Sequence, residues 1–336
     1  MKVVHSVRVT PERCGLYETT RELVAALREA GVDSRMIDID GKATGTDRGA
    51  LIAPVGFVDE CDVIISHSGV TQRQFDTGKP IVHIMHGRPR SSFLLELSGK
   101  LAIYSFLRAR AGCERYKAFV TFWPEHVPYW SVILPPEKIM VVPPPVDLKR
   151  WTPDGPKGYG FHGHKGAINV VCTDAWREDK DPFHMVNAYA IFARKHPDAR
   201  LHIFGNSANQ KGWEVLFKVL REMGALGEIG GWVHGLANVY RAADFSITPQ
   251  RIATRSVREA LACGCPIVAP LNNEYTKWRA DEELPECMAD SMECAWDWIA
   301  VHRQEAREAA RKQAEKLFDP IESARQFIGV LEKVVK

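Results

Sequence analysis

Short apolar runs alternate along the chain with stretches in which apolar residues recur at helical spacing, the pattern of strands and helices taken in turn. Lys2 to Val9 predicts a strand, followed by a turn over Pro11 to Gly15. Between Tyr17 and Ala30, the residues Leu23, Ala26, Leu27 and Ala30 share one helical face, and Gly31 closes the helix, because a helix end favours a residue free to adopt positive φ. Ser34 to Ile39, Asp62 to Ser66, Pro80 to Met85 and Lys138 to Val142 predict further strands. After a break the alternation restarts. Strands are expected over Ala167 to Cys172, Arg200 to Phe204, Gly231 to Val233, Asp244 to Thr248 and Cys265 to Ala269. Helices are expected over Pro182 to Lys195, Trp213 to Met223, Ala237 to Ala243, Ser256 to Ala262 and, at the tail, Pro320 to Val335.

Strands separated by helices imply βαβ units and parallel sheets. The break between the halves reads PPPVDLKRWTPDGPKGYG, and such Pro and Gly density is linker chemistry. The expected architecture is therefore α/β, with two doubly wound Rossmann-like domains facing a central cleft. The expected bounds are 1–150, a linker at 151–166, a second domain at 167–318, and a helix at 319–336 that packs back on the first domain. In such sheets ligands bind at the carboxyl ends of the strands.

Composition narrows this further. The 336 residues are 45% hydrophobic and 26% charged, an ordinary globular composition long enough for two domains. A net charge of +2 supplies no global basic field for nucleic acid or an anionic membrane. The N-terminal MKVVHSVRV reads as a strand, not a signal peptide. No apolar run approaches the roughly 18 residues of a membrane span. Cys263 and Cys265 are too close for a C-x2-C knuckle, and the other six cysteines are scattered. Reduced thiols, a cytoplasmic location and no metal are expected. His162 and His164 lie in a linker without a carboxylate or cysteine partner.

The segment carrying the most chemistry is TPQRIATRSVREALACGCPIVAP, Thr248 to Pro270. A strand ends, a polar loop follows, a helix begins near Ser256 and ends at Gly264, and a buried strand restarts. Backbone N–H groups at such a helix start suit a diphosphate. Glu259, one turn in, suits the hydroxyl pair of a ribose, or alternatively complements the helix dipole.

Glu259-Ala260-Leu261-Ala262-Cys263-Gly264-Cys265-Pro266-Ile267-Val268-Ala269 resembles the GT4-like branch of GT-B glycosyltransferases, whose pattern there runs E-A-M-A-C-G-x-P-V-I-A. The resemblance continues in Val142-Pro143-Pro144-Pro145-Val146-Asp147, in Leu201-His202-Ile203-Phe204-Gly205, in Gly231 to Asp244 and in His83 to Arg88. It implies a retaining transferase moving a hexose or related sugar from a nucleotide-diphosphate donor, such as a UDP-sugar, to a hydroxyl acceptor without a metal or other cofactor. By the same resemblance Glu259 binds the ribose. The first glutamate of the family's E-x7-E pair is replaced by Arg251, and its loop becomes Arg251-Ile252-Ala253-Thr254, followed by Arg255. His86 takes the place of the family's sugar-facing histidine, and Cys14-Gly15 that of its glycine loop near the phosphate. Lys180 aligns with a diphosphate lysine. The partner arginine position holds Ala175, with Arg177 two residues on. A leaving diphosphate needs such cations when no metal is held. Thr173, Gly205, Val233 and His234 fall on the donor side; Cys14, His67 and Arg88 fall on the acceptor side.

His67, after the DVIIS strand, reads either as lining a cleft or as a capping or solvated residue. From His86 to Lys117 seven Lys and Arg face two Glu, with apolar residues interleaved. This fits a core-packed helix with a basic outer face, or a surface for an anionic membrane or acceptor. Fold does not fix function, so an NDP-sugar epimerase, a transferase acting on a hydroxymethylated base in DNA, and a non-catalytic nucleotide-sugar-binding protein stand as alternatives.

Overall fold

The computed structural model describes residues 1–9, 15–99, 102–157, 161, 166–176, 180, 182–205, 212–231, 233, 235–270, 278–279 and 285–336. The chain divides into two compact units, one of Met1–Asp147 with Phe318–Lys336 and one of Leu148–Leu317.

The first unit runs β1 (Lys2–Val7), α1 (Gly15–Glu29), β2 (Asp33–Asp38), β3 (Gly45–Asp47), β4 (Ala50–Ile52), β5 (Val63–Ser66), α2 (Gln72–Asp76), β6 (Ile81–Met85), α3 (Pro89–Leu97), α4 (Ile103–Ala111), β7 (Tyr116–Thr121), α5 (Val127–Trp130) and β8 (Ile139–Val141). Among the described residues its eight strands lie in the order β3-β4-β2-β1-β5-β6-β7-β8, all parallel except the β3–β4 hairpin. Val3, Val4 and Val7 on β1 and Val63, Ile64 and Ile65 on β5 are wholly buried, as expected of central parallel strands covered on both faces. One core gathers Val4, Ile64, Ile81, Phe119 and Trp130; another gathers Val7, Tyr17, Val24 and Met36.

The second unit runs β9 (Ile168–Cys172), α6 (Pro182–Lys195), β10 (Ala199–Phe204), α7 (Glu214–Glu222), β11 (Leu226–Gly230), α8 (Leu236–Ala242), β12 (Phe245–Ile247), α9 (Arg255–Ala262), β13 (Ile267–Ala269), β14 (Trp278–Arg279), α10 (Pro285–Val301) and α11 (Arg303–Phe318). Among the described residues its six strands lie in the order β11-β10-β9-β12-β13-β14. The α6 face of Met185, Ala188, Tyr189 and Phe192 is fully buried against Leu201, Phe217 and Phe245. Met185 and Phe192 each contribute about 1.5–3 kcal/mol by leaving water. A final helix, α12 (Pro320–Val335), packs on α1 in the first unit, burying Ala324, Phe327 and Leu331.

Two expectations are corrected. The strand expected at Gly231 to Val233 lies upstream, at Leu226–Gly230. Its glycines are forced by close approach: a Cβ on Gly227 would stand 2.5 Å from His202 Nδ1, and one on Gly230 would stand 2.8 Å from Phe204. The stretch from His86 to Lys117 is not one core-packed helix. It forms α3, α4 and the start of β7, and Phe93, Leu94 and Leu97 on α3 are 48%, 47% and 68% exposed. No helix of the described residues is long and apolar enough to cross a membrane.

Candidate active site

In each sheet the strand order reverses beside the first strand of its unit. The reversal lies between β1 and β5 in one unit and between β9 and β12 in the other. At such a switch point neighbouring connections leave on opposite faces and open a crevice at the carboxyl edge. Both switch points hold buried polar clusters.

In the second unit the cluster centres on Asp174, two residues past β9 and 8% exposed. Its Oδ1 accepts from Ser256 Oγ at 2.8 Å, and its Oδ2 accepts from the Thr248 hydroxyl. Burial raises the Asp174 pKa, opposed by the Thr248 hydrogen bond, by the charge of Lys180 and by Ser256. Lys180 Nζ donates to Gln250 Oε1 at 3.2 Å, while Gln250 Nε2 donates to the Lys180 carbonyl at 3.1 Å. Thr173 Oγ1 and Tyr240 OH lie 2.6 Å apart, and the Tyr240 hydroxyl donates to the Ser256 carbonyl at 3.2 Å. Gly205 closes this edge from β10. A Cβ there would lie 1.8 Å from the Asp174 carbonyl oxygen, so only glycine lets the two strand ends approach.

Helix α9 starts after Thr254 at the mouth of the same cluster. Its other end is closed by Gly264, at φ +68°, with the Cys265 N–H donating to the Ala260 carbonyl at 2.8 Å. Glu259 is 4% exposed and pairs with Arg255, whose Nε stands 2.5 Å from Glu259 Oε1. A charge this deeply buried is held only with a partner. The Arg255 guanidinium supplies that partner.

In the first unit the switch point is built from histidines. His5 Nδ1 lies 2.9 Å from His67 Nε2, and His67 Nδ1 lies 2.9 Å from His86 Nε2 and 2.9 Å from Thr20 Oγ1. His83 Nδ1 stands 3.1 Å from Ser66 Oγ. Burial lowers the pKa of His5 to about 3 and that of His83 to about 4. It also takes His67 well below its ordinary range, helped by neighbouring histidines. Burial, then the charge of Arg88, brings His126 to about 4. His86 follows β6, edge-on to Phe122, and Gly87 at φ +94° turns the chain into α3.

The structure thus brings Thr173, Lys180, Gly205, Thr254, Arg255 and Glu259 to one edge, and His67 and His86 to the other unit's edge. His67 is not a solvated residue: the ring is 4% exposed and both nitrogens have partners. Ile252 and Ala253 are buried, Arg251 is exposed, and Val233, half-buried, follows β11. Gly15 opens α1, and Arg88 precedes α3 at its N-cap. Arg177, His234 and Cys14, with His162 and His164, lie outside the described residues. Asp174, Ser256, Thr248, Gln250 and Tyr240 were absent from the sequence-derived set, as were His5 and Thr20. The one available signal was position, since Asp174 comes two residues after β9 and Thr248 directly follows β12. Among the described residues no group of three or more His, Cys, Asp or Glu is arranged to hold a metal.

Two doubly wound units of this kind define the GT-B fold, and the chain has it. It is similar to Anabaena HepE in complex with UDP and glucose, at a TM-score of 0.74 and 13% identity, covering 99% of this chain and 100% of that one. It is also similar to sucrose-phosphate synthase from Thermosynechococcus elongatus, with a TM-score of 0.73, 15% identity and 99% of both chains covered. The pneumococcal O-GlcNAc transferase GtfA in complex with UDP and GlcNAc superposes with a TM-score of 0.67 at 10% identity, over 100% of this chain and 99% of that one. No protein-family model matches the sequence, and no curated protein does.

Proposed function

We propose that the protein is a glycosyltransferase that takes a sugar from a nucleotide-diphosphate donor held at the switch point of its second unit. The observation that carries this reading is Glu259. It sits buried and paired with Arg255 in a helix that rises from the carboxyl edge of a parallel sheet, in a chain with the GT-B fold. Fold neighbours hold UDP with a sugar or as UDP-glucose, which supports a UDP-sugar as donor. The diphosphate meets the first turn of α9, with Lys180 and Arg177 as cations and Arg251 and Arg255 flanking. The ribose meets Glu259, and Thr173, Gly205, Val233, His234, Ile252, Ala253 and Thr254 complete the donor side.

During transfer the bond from the anomeric carbon to the diphosphate oxygen breaks and a bond to the acceptor hydroxyl oxygen forms. The hydroxyl proton passes to the departing phosphate, on the same face, so the anomeric configuration is retained. His86 orients the sugar, and Cys14, His67 and Arg88 serve the acceptor side, His67 acting from behind His86. Charge on the leaving group is met by side chains and helix amides, so no metal is required and activity survives EDTA. The reaction is assigned to the cytoplasm.

The test is a panel of UDP-, GDP-, ADP- and dTDP-sugars offered with candidate saccharide, lipid, small-molecule and hydroxymethylated-DNA acceptors, with released nucleotide read by mass spectrometry. One donor should release its nucleoside diphosphate only when acceptor is present, and NMR of an α-donor's product should show an α linkage. A β linkage refutes retention. Binding without release in every combination identifies a non-catalytic nucleotide-sugar protein instead, and rearranged donor without transfer identifies an epimerase.

A further inference from the structure

The histidine chain at the first unit's switch point has a direction, and Thr20 sets it. The Thr20 hydroxyl stands 2.9 Å from the Leu16 carbonyl oxygen one turn earlier in α1, where it can only donate. Its single proton is thereby used. The same oxygen stands 2.9 Å from His67 Nδ1, so there it accepts, and His67 Nδ1 must carry a proton. With that proton on Nδ1, neutral His67 has a bare Nε2, which accepts from His5 Nδ1 at 2.9 Å. His5 is then protonated on Nδ1 and bare on Nε2, the atom with no hydrogen-bond partner among the described residues. The opposite polarity would place an N–H at that buried position, and a buried N–H without a partner is the more costly orphan. A cationic His67 would force the same outcome on His5. At the other end, His67 Nδ1 also lies 2.9 Å from His86 Nε2, so its one N–H is shared between Thr20 Oγ1 and His86 Nε2, and the bare nitrogen of His86 is Nε2.

We infer that Thr20, His67 and His5 are positioning residues that lock His86 in the Nδ1–H tautomer, so that His86 presents a hydrogen-bond donor and not a base. Such a donor suits a sugar hydroxyl or a ring oxygen, and it cannot take a proton from an acceptor at Nδ1 without reversing the whole chain. Only this substrate end rests on the proposed glycosyl transfer; the tautomers themselves do not. Neutral rings agree with the lowered pKa values of His5 and His67, caused by burial.

The experiment is a two-bond ¹H–¹⁵N correlation spectrum of the full chain labelled with ¹⁵N-histidine, with rings assigned by single-site variants. This spectrum reports which ring nitrogen is protonated. The wild type should show Nδ1–H at His5, His67 and His86, although free imidazole side chains in water favour Nε2–H. His67→Leu removes the donor to His86 Nε2, and His86 should change to mostly Nε2–H. His67→Asn keeps an N–H near the Nδ1 position and should hold His86 as Nδ1–H. Nε2–H at His86 in the wild type, or no change at His86 in His67→Leu, overturns the inference. The readout is nitrogen protonation and not turnover. Correct tautomers in a chain that transfers no sugar would therefore fail the functional proposal alone.

Discussion

The two switch points occupy equivalent places in their sheets and are built from opposite chemistry. In the first unit burial acts on bases: His5, His67, His83 and His126 are driven neutral, and His5, His67 and His83 are joined to one another or to hydroxyls. In the second unit burial acts on acids. Asp174 is held by hydroxyls near Lys180, and Glu259 pairs with Arg255. One edge orients through neutral dipoles and the other keeps compensated charge. An edge of the second kind, facing helix amides, is suited to an anionic ligand. An edge of the first kind is suited to neutral hydroxyls.

The largest expected effect comes from acid. The four histidines have folded-state pKa values below the unfolded 6.5, so the unfolded chain binds more protons between those values and 6.5. Their contribution is complete above pH 6.5 and is lost as pH falls toward about 4, at up to about 1.4 kcal/mol per pH unit for each histidine. Asp174 and Asp244 behave oppositely. Burial raises their folded pKa, so the folded state takes up protons first and gains stability over that step. The second unit has one described buried histidine, His202. Hydrogen exchange read by mass spectrometry, corrected for intrinsic pH dependence, should show β1, β5 and β6 losing protection before β9 and β12. The reverse order breaks the comparison.

Lys180→Ala comes next. It removes the cation beside Asp174 and should lower turnover by about 10²-fold or more, measured at saturating donor. Unchanged turnover would free the cluster from any role in the leaving group. Glu259→Gln should weaken donor binding by roughly 1–3 kcal/mol, the scale of a hydrogen bond to a charged group. Its circular dichroism spectrum must match the wild type, since the change also strips Arg255 of its partner. The smallest effect is expected at exposed Arg251, where replacement by Ala should change donor affinity by less than about 1 kcal/mol. A larger loss would extend the charged edge of the second unit outward along the β12–α9 loop.

Periodicity exposed the elements that bury a whole face, such as α6 with Met185, Ala188, Tyr189 and Phe192. It did not expose β3 and β4, whose three residues each are too short to show a period. It also misplaced β11, because Gly227 and Gly230 answer to His202 and Phe204 across the sheet and not to strand propensity. Helix α10 carries the same signal, with Met288, Ala289, Met292, Ala295 and Ile299 at helical spacing. In the site, local motifs marked Glu259, Lys180 and His86, which sit within contiguous segments. The histidine chain was hidden because His5, His67 and His86 are far apart in sequence. They meet only through the parallel register that sets His5 beside Ile65 and Ser66 beside His83. Asp174 was hidden for a similar reason, since its partners Thr248 and Ser256 come from the next strand and helix over.

The central claim is that the charged edge of the second unit holds a nucleoside diphosphate. Isothermal titration of UDP, GDP and ADP into the protein, with EDTA present, tests it most directly. Saturable binding of at least one of them at a single site is expected, weakened about tenfold or more in Glu259→Gln. A folded wild-type protein that binds none of the three, or that binds one equally well after Glu259→Gln, would contradict it.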